Sequence, residues 1–253
     1  MPASRPPAWY LVSLRGQGEH AALRRAAARH GGALLPLSPW QIVPMQDAAS
    51  GDALVQALAA PVVVFTSPAA VRAAAQLQPL AVRTGQQWLA VGAGTAAALR
   101  RAGIVQVQAP GRMDSEGLLA LPALAAPSRV GLVTAPGGRG LLAPTLAARG
   151  ARVDRADVYA RVPVPLDRRA LARLAAADAP LVLALSSEEA LQRVLPQLPG
   201  ALATRLRHAP VVAASARLAT IARDLGWQRV LVAGSPRPAA LARTAAGALP
   251  STA

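Results

Sequence analysis

Short apolar runs alternate along the chain with longer runs of alanine, leucine and arginine that have helical spacing. The apolar runs are rich in valine and leucine and lack polar alternation, as in strands that are buried on both faces. They predict strands at Trp9–Leu14, Val62–Phe65, Trp88–Val91, Val105–Val107, Val130–Thr134, Leu181–Leu185, Val211–Ala213 and Val230–Val232. Strands that alternate with helices predict an α/β fold built on parallel sheet.

Two of these strands belong to a longer repeat. "PVVVFTSPAAV" (Pro61–Val71) and "PLVLALSSEEAL" (Pro180–Leu191) both contain a strand, two hydroxyl residues and a helix start, at an offset of 120 (185 − 65 = 120). At the same offset Thr95 pairs with Ser215, and segment 10–37 resembles segment 130–157. The chain therefore consists of four blocks in the order A, B, A′, B′, which indicates an internal duplication.

Two proline-containing segments, Leu37–Met45 and Val158–Asp167, each follow an A block. Proline disfavours helix, so we expect extended connectors there. If the chain crosses between domains only at these segments, one domain is discontinuous, 1–37 with 165–253, and the other is inserted, 38–159. The linkers are then about 37–45 and 158–167. Two adjacent connectors predict a hinge with a cleft beside it.

The 253 residues carry a net charge of +15 (27 − 12), and all the cations are arginine. The arginines are scattered and aromatic residues are few, so nucleic acid is not the expected partner. A small anionic molecule fits dispersed arginines better. The chain has no cysteine, no secretion signal and no apolar stretch of the roughly 20 residues that a membrane span needs. We therefore expect a cytoplasmic protein that does not bind a membrane.

Hydroxyl residues recur where a predicted strand gives way to a helix, at Thr66, Ser67, Thr95, Ser115, Ser186, Ser187, Ser215 and Ser235. One interpretation is that they are N-caps, whose oxygens accept from the first free amides of a helix. The other is that several such turns together bind one ligand with many carboxylates or phosphates. The three histidines have no spacing typical of metal ligands.

The order and spacing of several weak motifs resemble the uroporphyrinogen-III synthase family over essentially the whole chain. The motifs are "LVSLRG", "VFTSPAAV", "AVGAGTAAALRRAG", "DSEGLLALPAL", "GLVTAPGGRGLLAPTLAARGARV", "DVYAR", "LSSEEAL" and "SARLATIARDLGW". The resemblance implies two flavodoxin-like α/β domains joined by a two-stranded linker. It also implies closure of hydroxymethylbilane in the interdomain cleft, with inversion of the last pyrrole ring and loss of water, to give uroporphyrinogen III. It implies no metal or organic cofactor, a monomer, and possible hand-over of substrate from hydroxymethylbilane synthase.

The resemblance also suggests site residues. Tyr159 matches a tyrosine at the entrance of the family's linker, where a phenol could give a proton to the departing hydroxyl; alternatively it packs against a domain edge. Arg15, Arg139 and Arg161 could bind substrate carboxylates, or be ordinary solvated arginines. Substrate contacts are also implied for Thr66, Ser67, Thr95, Ser186, Ser187 and Ser215. Ala213-Ala214 departs from the glycine-rich pattern of the duplicate.

Two other function classes compete with the enzyme. A non-catalytic sensor of an anionic small molecule would have the same two domains and hinge, but the chain has no appended helix-turn-helix or receiver segment. A nucleic-acid binder would show steeply salt-dependent binding. Neither explains the paired motifs in their order as well as the synthase does.

Overall fold

The computed structural model describes residues 6–137 and 140–249. Contacts divide the chain into two compact units. The discontinuous unit is Met1–Gln41 with Val162–Ala253, and the inserted unit is Ile42–Arg161. None of the helices in the described ranges has the length and apolar character that a bilayer span requires.

The discontinuous unit contains a five-stranded sheet in the order β11-β10-β9-β1-β2, and all its strand pairs are parallel. Its strands are β1 (Trp9–Ser13), β2 (Gly32–Pro36), β9 (Leu181–Leu185), β10 (Val211–Ala213) and β11 (Val230–Val232). Numbered within the unit, the order is 2-1-3-4-5, which is the doubly wound order of flavodoxin-like sheets.

Six helices of 7 to 10 residues connect and cover these strands in the described part of the unit. They are α1 (Ala21–Ala28), α7 (Arg168–Ala175), α8 (Glu188–Val194), α9 (Gly200–His208), α10 (Ala216–Asp224) and α11 (Pro238–Gly247), with a short 3-10 helix at Leu195–Gln197. Apolar side chains of α1 and α11, including Leu23 and Leu241, pack with Trp9 and Val182 of the sheet in one buried cluster. Burial of this apolar area is the main stabilising contribution.

The inserted unit contains a four-stranded parallel sheet in the order β5-β4-β6-β7. Its strands are β4 (Val62–Phe65), β5 (Gln87–Ala90), β6 (Arg129–Thr134) and β7 (Arg152–Asp157). Its helices are α2 (Ala48–Leu58), α3 (Pro68–Leu77), α4 (Ala93–Arg101), α5 (Ser115–Leu119) and α6 (Leu142–Ala148), with a short 3-10 helix at Pro122–Leu124. In its core the rings of Phe65 and Trp88 stack with centroids 5.5 Å apart.

Strands β3 (Trp40–Pro44) and β8 (Tyr159–Pro163) form a separate two-stranded ladder. The chain passes from one unit to the other within these two strands. The amide of Met45 donates to the carbonyl of Val158 at 3.0 Å, and the amide of Val164 donates to the carbonyl of Pro39 at 3.1 Å. The proline-containing segments are therefore extended over these residues.

The two sheets repeat the same arrangement of strands. The order β10-β9-β1-β2 in one corresponds to β5-β4-β6-β7 in the other, as expected for an internal duplication. The ends of β4 and β9 keep the offset of 120, but the ends of β5 and β10 are offset by 123 (213 − 90 = 123). Three additional residues between β9 and β10 cause this difference.

Two details of the sequence analysis are therefore wrong. The residue equivalent to Ser215, the N-cap of α10, is Gly92, the N-cap of α4, and Thr95 lies inside α4 instead. The predicted strand Val105–Val107 does not form, and Val105 is 79% exposed. The neighbouring Gln108 makes a single parallel bridge to Leu89, at the edge where the other unit has β11.

Candidate active site

A cavity of about 200 Å³ lies at the carboxyl ends of β4 and β6 in the inserted unit. Its polar lining includes Thr66, Ser67, Thr134, Arg155, Tyr159 and Arg161. Strands β4 and β6 are neighbours, but the chain continues from β4 to β5 at one edge of the sheet and from β6 to β7 at the other edge. The cavity therefore lies at the switch point, where open α/β sheets bind ligands. Four of the predicted site residues, Thr66, Ser67, Tyr159 and Arg161, thus line one cavity.

Tyr159 lies at the start of β8, and only 3% of its surface is exposed. Its hydroxyl is 3.1 Å from the Ser67 Oγ atom. Ser67 is the N-cap of α3, and its Oγ accepts from the Ala70 amide at 3.0 Å. The phenol is therefore buried beside the N-terminus of a helix, and both Tyr159 and Ser67 line the cavity.

Thr66 and Thr134 join the ends of the two central strands. The Thr66 hydroxyl donates to the Thr134 Oγ1 atom at 2.8 Å, and the Thr66 amide donates to the Val133 carbonyl. Sequence analysis did not single out Thr134. The signal for it was its position directly after the apolar run of β6, which is where Thr66 lies relative to β4.

Two arginines of the described residues line the cavity. Arg155, which sequence analysis also missed, bonds the Asp157 carboxylate through two of its nitrogens, and its Nη2 donates to the Ala135 carbonyl at 3.2 Å. Arg161 follows Tyr159 by two residues on β8. The other arginine predicted in this region, Arg139, lies outside the described residues.

Of the two remaining hydroxyl residues predicted in this unit, Thr95 and Ser115, only Ser115 lies at the cavity. Thr95 is 2% exposed inside α4 and is absent from the lining. Ser115 does line the cavity, but Asp114 and not Ser115 caps the helix α5. The N-cap interpretation is confirmed for Ser67, Ser187 and Ser215.

In the discontinuous unit, Ser186, Ser187 and Ser215 follow the carboxyl ends of β9 and β10. Ser187 caps α8 by accepting from the Ala190 amide at 3.2 Å, and Ser215 caps α10 by accepting from the Leu218 amide at 3.4 Å. Since caps consume one lone pair of each oxygen, the hydroxyl protons of these serines are still able to donate.

Arg15 follows β1 at the same edge of this sheet. Its Nε atom is buried without a hydrogen-bond partner among the described residues. Burial lowers the pKa of the guanidinium, and the nearby Glu19 carboxylate partly opposes this effect. A partly buried guanidinium with an unused Nε donor is suited to bind an anion.

His20 forms a polar cluster beside Arg15 that sequence analysis did not find. The ring is 6% exposed, its Nδ1 is 3.1 Å from the Ser13 Oγ, and its Nε2 is 2.8 Å from the Ser38 Oγ. Burial, and then the charges of Arg24 and Arg15, lower the pKa of His20 from 6.5 to about 4. The ring is therefore neutral at physiological pH and joins the end of β1 to the segment before β3.

Within residues 6–137 and 140–249, no three His, Asp or Glu side chains lie close enough together to hold a metal ion.

Comparisons with known proteins agree on one family. The model of the family described as uroporphyrinogen-III synthase HemD matches residues 21–243. The uroporphyrinogen-III synthase of Escherichia coli is 34% identical over 160 residues, which are 62% of this chain and 65% of that protein. That of Salmonella typhimurium is 35% identical over 179 residues, which are 67% of this chain and 71% of that protein.

Solved structures with a similar fold carry the same name. A mutant uroporphyrinogen III synthase from Thermus thermophilus superposes with a TM-score of 0.60 at 21% identity, over 95% of this chain and 98% of that chain. The uroporphyrinogen-III synthetase of Helicobacter pylori gives a TM-score of 0.61 at 15% identity, over 94% and 98%. At these identities the similarity concerns the fold, and the predicted α/β fold with parallel sheets is confirmed. The family model covers most of this chain, and two relatives are identical to it at about a third of the aligned positions. This chain therefore belongs to the uroporphyrinogen-III synthase family.

Proposed function

We propose that this protein closes hydroxymethylbilane to uroporphyrinogen III, with inversion of the last pyrrole ring and loss of water. The observation that carries the proposal is that Tyr159, whose hydroxyl lies 3.1 Å from the Ser67 Oγ atom, lines a polar cavity on the carboxyl edge of a parallel sheet. That residue falls within the range that the family model matches.

The first step needs an acid. Tyr159 would give its proton to the substrate hydroxyl as the carbon–oxygen bond breaks, so that water leaves and a conjugated azafulvene cation is formed. The far pyrrole ring attacks this cation to give a spiro intermediate, and re-opening and re-closure invert that ring. The final ring loses one proton on regaining its aromaticity, and this proton restores the phenol.

Orientation supplies the selectivity. The uncatalysed chain closes head to tail without inversion, so the protein must hold the substrate in the conformation that leads to the other isomer. The substrate bears eight carboxylates. We propose that Arg15, Arg139 and Arg161 bind some of them, and that Thr66, Ser67, Ser186, Ser187 and Ser215 contribute hydroxyl or backbone contacts.

We further propose that the two compact units are flavodoxin-like domains and that β3 and β8 are their linker. We propose the domain bounds 1–37 with 165–253 for the first domain and 38–159 for the second. These bounds differ by a few residues from those of the two compact units. The monomeric state, the interdomain cleft and the hand-over of substrate from hydroxymethylbilane synthase stay predictions.

The test supplies hydroxymethylbilane in situ with its own synthase, then oxidises the products and separates the type I and type III isomers by chromatography. We expect chiefly the type III isomer when this protein is added. Only type I isomer at every protein concentration would refute the proposed function.

Replacing Tyr159 by Phe tests its role as the acid. The ring and its packing are kept while the hydroxyl is lost, so we expect kcat to fall about 100-fold with little change in KM. The chain has one other tyrosine, Tyr10, which lies on β1, and Tyr10→Phe is the matched control with unchanged kinetics. Equal kcat for both variants would remove Tyr159 from the mechanism.

A further inference from the structure

Ser67 makes two contacts with different demands on its hydroxyl group. Its Oγ accepts from the Ala70 amide at 3.0 Å as the N-cap of α3, and it lies 3.1 Å from the Tyr159 oxygen. A serine hydroxyl has one proton and two lone pairs. The cap uses one lone pair, so either Ser67 donates to Tyr159 or Tyr159 donates to the second lone pair of Ser67.

The first arrangement fits the surroundings better. In either arrangement one of the two hydroxyl protons has no partner among the described residues, so the choice depends on which oxygen is the better donor. An oxygen that accepts from an amide becomes a stronger donor. The positive end of the ten-residue helix α3 also disfavours a second proton at this oxygen.

We propose that Ser67 is the positioning residue for Tyr159: it donates its hydroxyl proton to the phenol oxygen and so directs the phenol proton into the cavity. When that proton passes to the departing substrate hydroxyl, the phenolate left on Tyr159 keeps the hydrogen bond from Ser67. This inference rests on the proposed function, and it gives Ser67 a role other than direct contact with a carboxylate.

The kinetic test compares two variants that each remove one helix cap in the inserted unit. Ser67→Ala loses the cap of α3 and the donor to Tyr159. Asp47→Ala loses the cap of α2, where the Asp47 carboxylate accepts from the Ser50 amide, and does not touch the cavity. Both losses lower stability similarly, which urea unfolding checks. Ser67→Gly serves if Ser67→Ala does not fold, because glycine is tolerated better at an N-cap.

We expect Ser67→Ala to lower kcat about 10- to 100-fold with KM changed less than about threefold, as for loss of one donor to a developing charge. Asp47→Ala should keep kcat near that of the wild type. Ser67→Thr, which keeps both the cap and the donor, should restore kcat to within about threefold. Unchanged kcat in Ser67→Ala, or a raised KM alone, would overturn the inference; the second result would make Ser67 a substrate contact.

A measurement without substrate separates this inference from the proposed function. In a Tyr10→Phe background Tyr159 is the only tyrosine, and its ultraviolet resonance Raman doublet reports whether the phenol oxygen accepts or donates. With Ser67 present, we expect the doublet of a phenol oxygen that accepts a hydrogen bond. In Ser67→Ala we expect this form of the doublet to be lost. The same doublet in both proteins would overturn the inference even if the wild type makes type III isomer. An accepting phenol in a protein that makes only type I isomer would refute the proposed function and leave the geometry of Ser67 intact.

Discussion

Acidification should weaken the fold through His20. The ring is almost fully buried between Ser13 and Ser38, and its pKa is lowered from 6.5 to about 4, mainly by burial. In the unfolded chain the ring takes up a proton as the pH falls below about 6.5, while the folded ring stays neutral. The unfolded state therefore binds more protons in this window, so stability is complete above pH 6.5 and decreases as the pH falls towards 4.

The size of the effect follows from the two pKa values. At about pH 5 the unfolded ring is nearly all protonated, whereas about one-tenth of the folded rings are, and linkage gives a loss of about 2 kcal/mol relative to pH 8. This is an upper value, because any water that reaches the ring raises its folded-state pKa. It is a large share of the 5–15 kcal/mol that is typical of a folded protein.

The assay is urea unfolding at both pH values, followed by tryptophan fluorescence. Other groups also titrate in this range, so the quantity of interest is the difference between the wild type and His20→Gln, whose side chain cannot be protonated. We expect the wild type to lose about 2 kcal/mol more than His20→Gln, and His208→Gln, at an exposed histidine, to behave as the wild type. Equal losses in the wild type and His20→Gln would show that the ring is not held neutral by burial.

Two further substitutions test the packing and the site. Gly131→Ala should lower the free energy of unfolding by more than about 2 kcal/mol, because its Cβ would lie 1.8 Å from the Ala57 carbonyl oxygen. Gly111→Ala, where a Cβ meets open space, is the control, and equal urea midpoints would contradict the reasoning. Thr134→Val keeps the shape but removes the acceptor for Thr66, so we expect a loss of about 1 kcal/mol and a raised KM in the isomer assay. An unchanged KM would mean that this pair does not orient Thr66 for binding.

The sequence predicted four strands with their observed bounds because the signal for each is a short segment of neighbouring residues. Val62–Phe65, Leu181–Leu185, Val211–Ala213 and Val230–Val232 have the predicted bounds, since each is a short apolar run next to a proline or a polar turn. Val105–Val107, in which Gln106 separates the two valines, does not form a strand, because a strand also needs a partner along its length and this edge offers one bridge.

The site was predictable to a lesser extent. The hydroxyl turns at Ser67 and Ser187 were visible because a strand end and a helix start meet there. Thr95 was misplaced because a constant offset ignores an insertion of three residues. His20 carries no periodic signal, and its partners Ser13 and Ser38 lie 7 residues before it and 18 residues after it, in separate segments of the chain.

The discontinuous arrangement has a consequence for how the protein is made on the ribosome. Strands β1 and β2 emerge first, but β9, the neighbour of β1, begins only at Leu181. At about 5–20 residues per second, the roughly 140 residues between take about 7–30 s to synthesise. During that time the inserted unit, which is contiguous in sequence, can complete its own sheet. The edge of β1 stays open meanwhile, so we expect nascent chains stalled before Leu181 to be the species most prone to aggregate and to require chaperones.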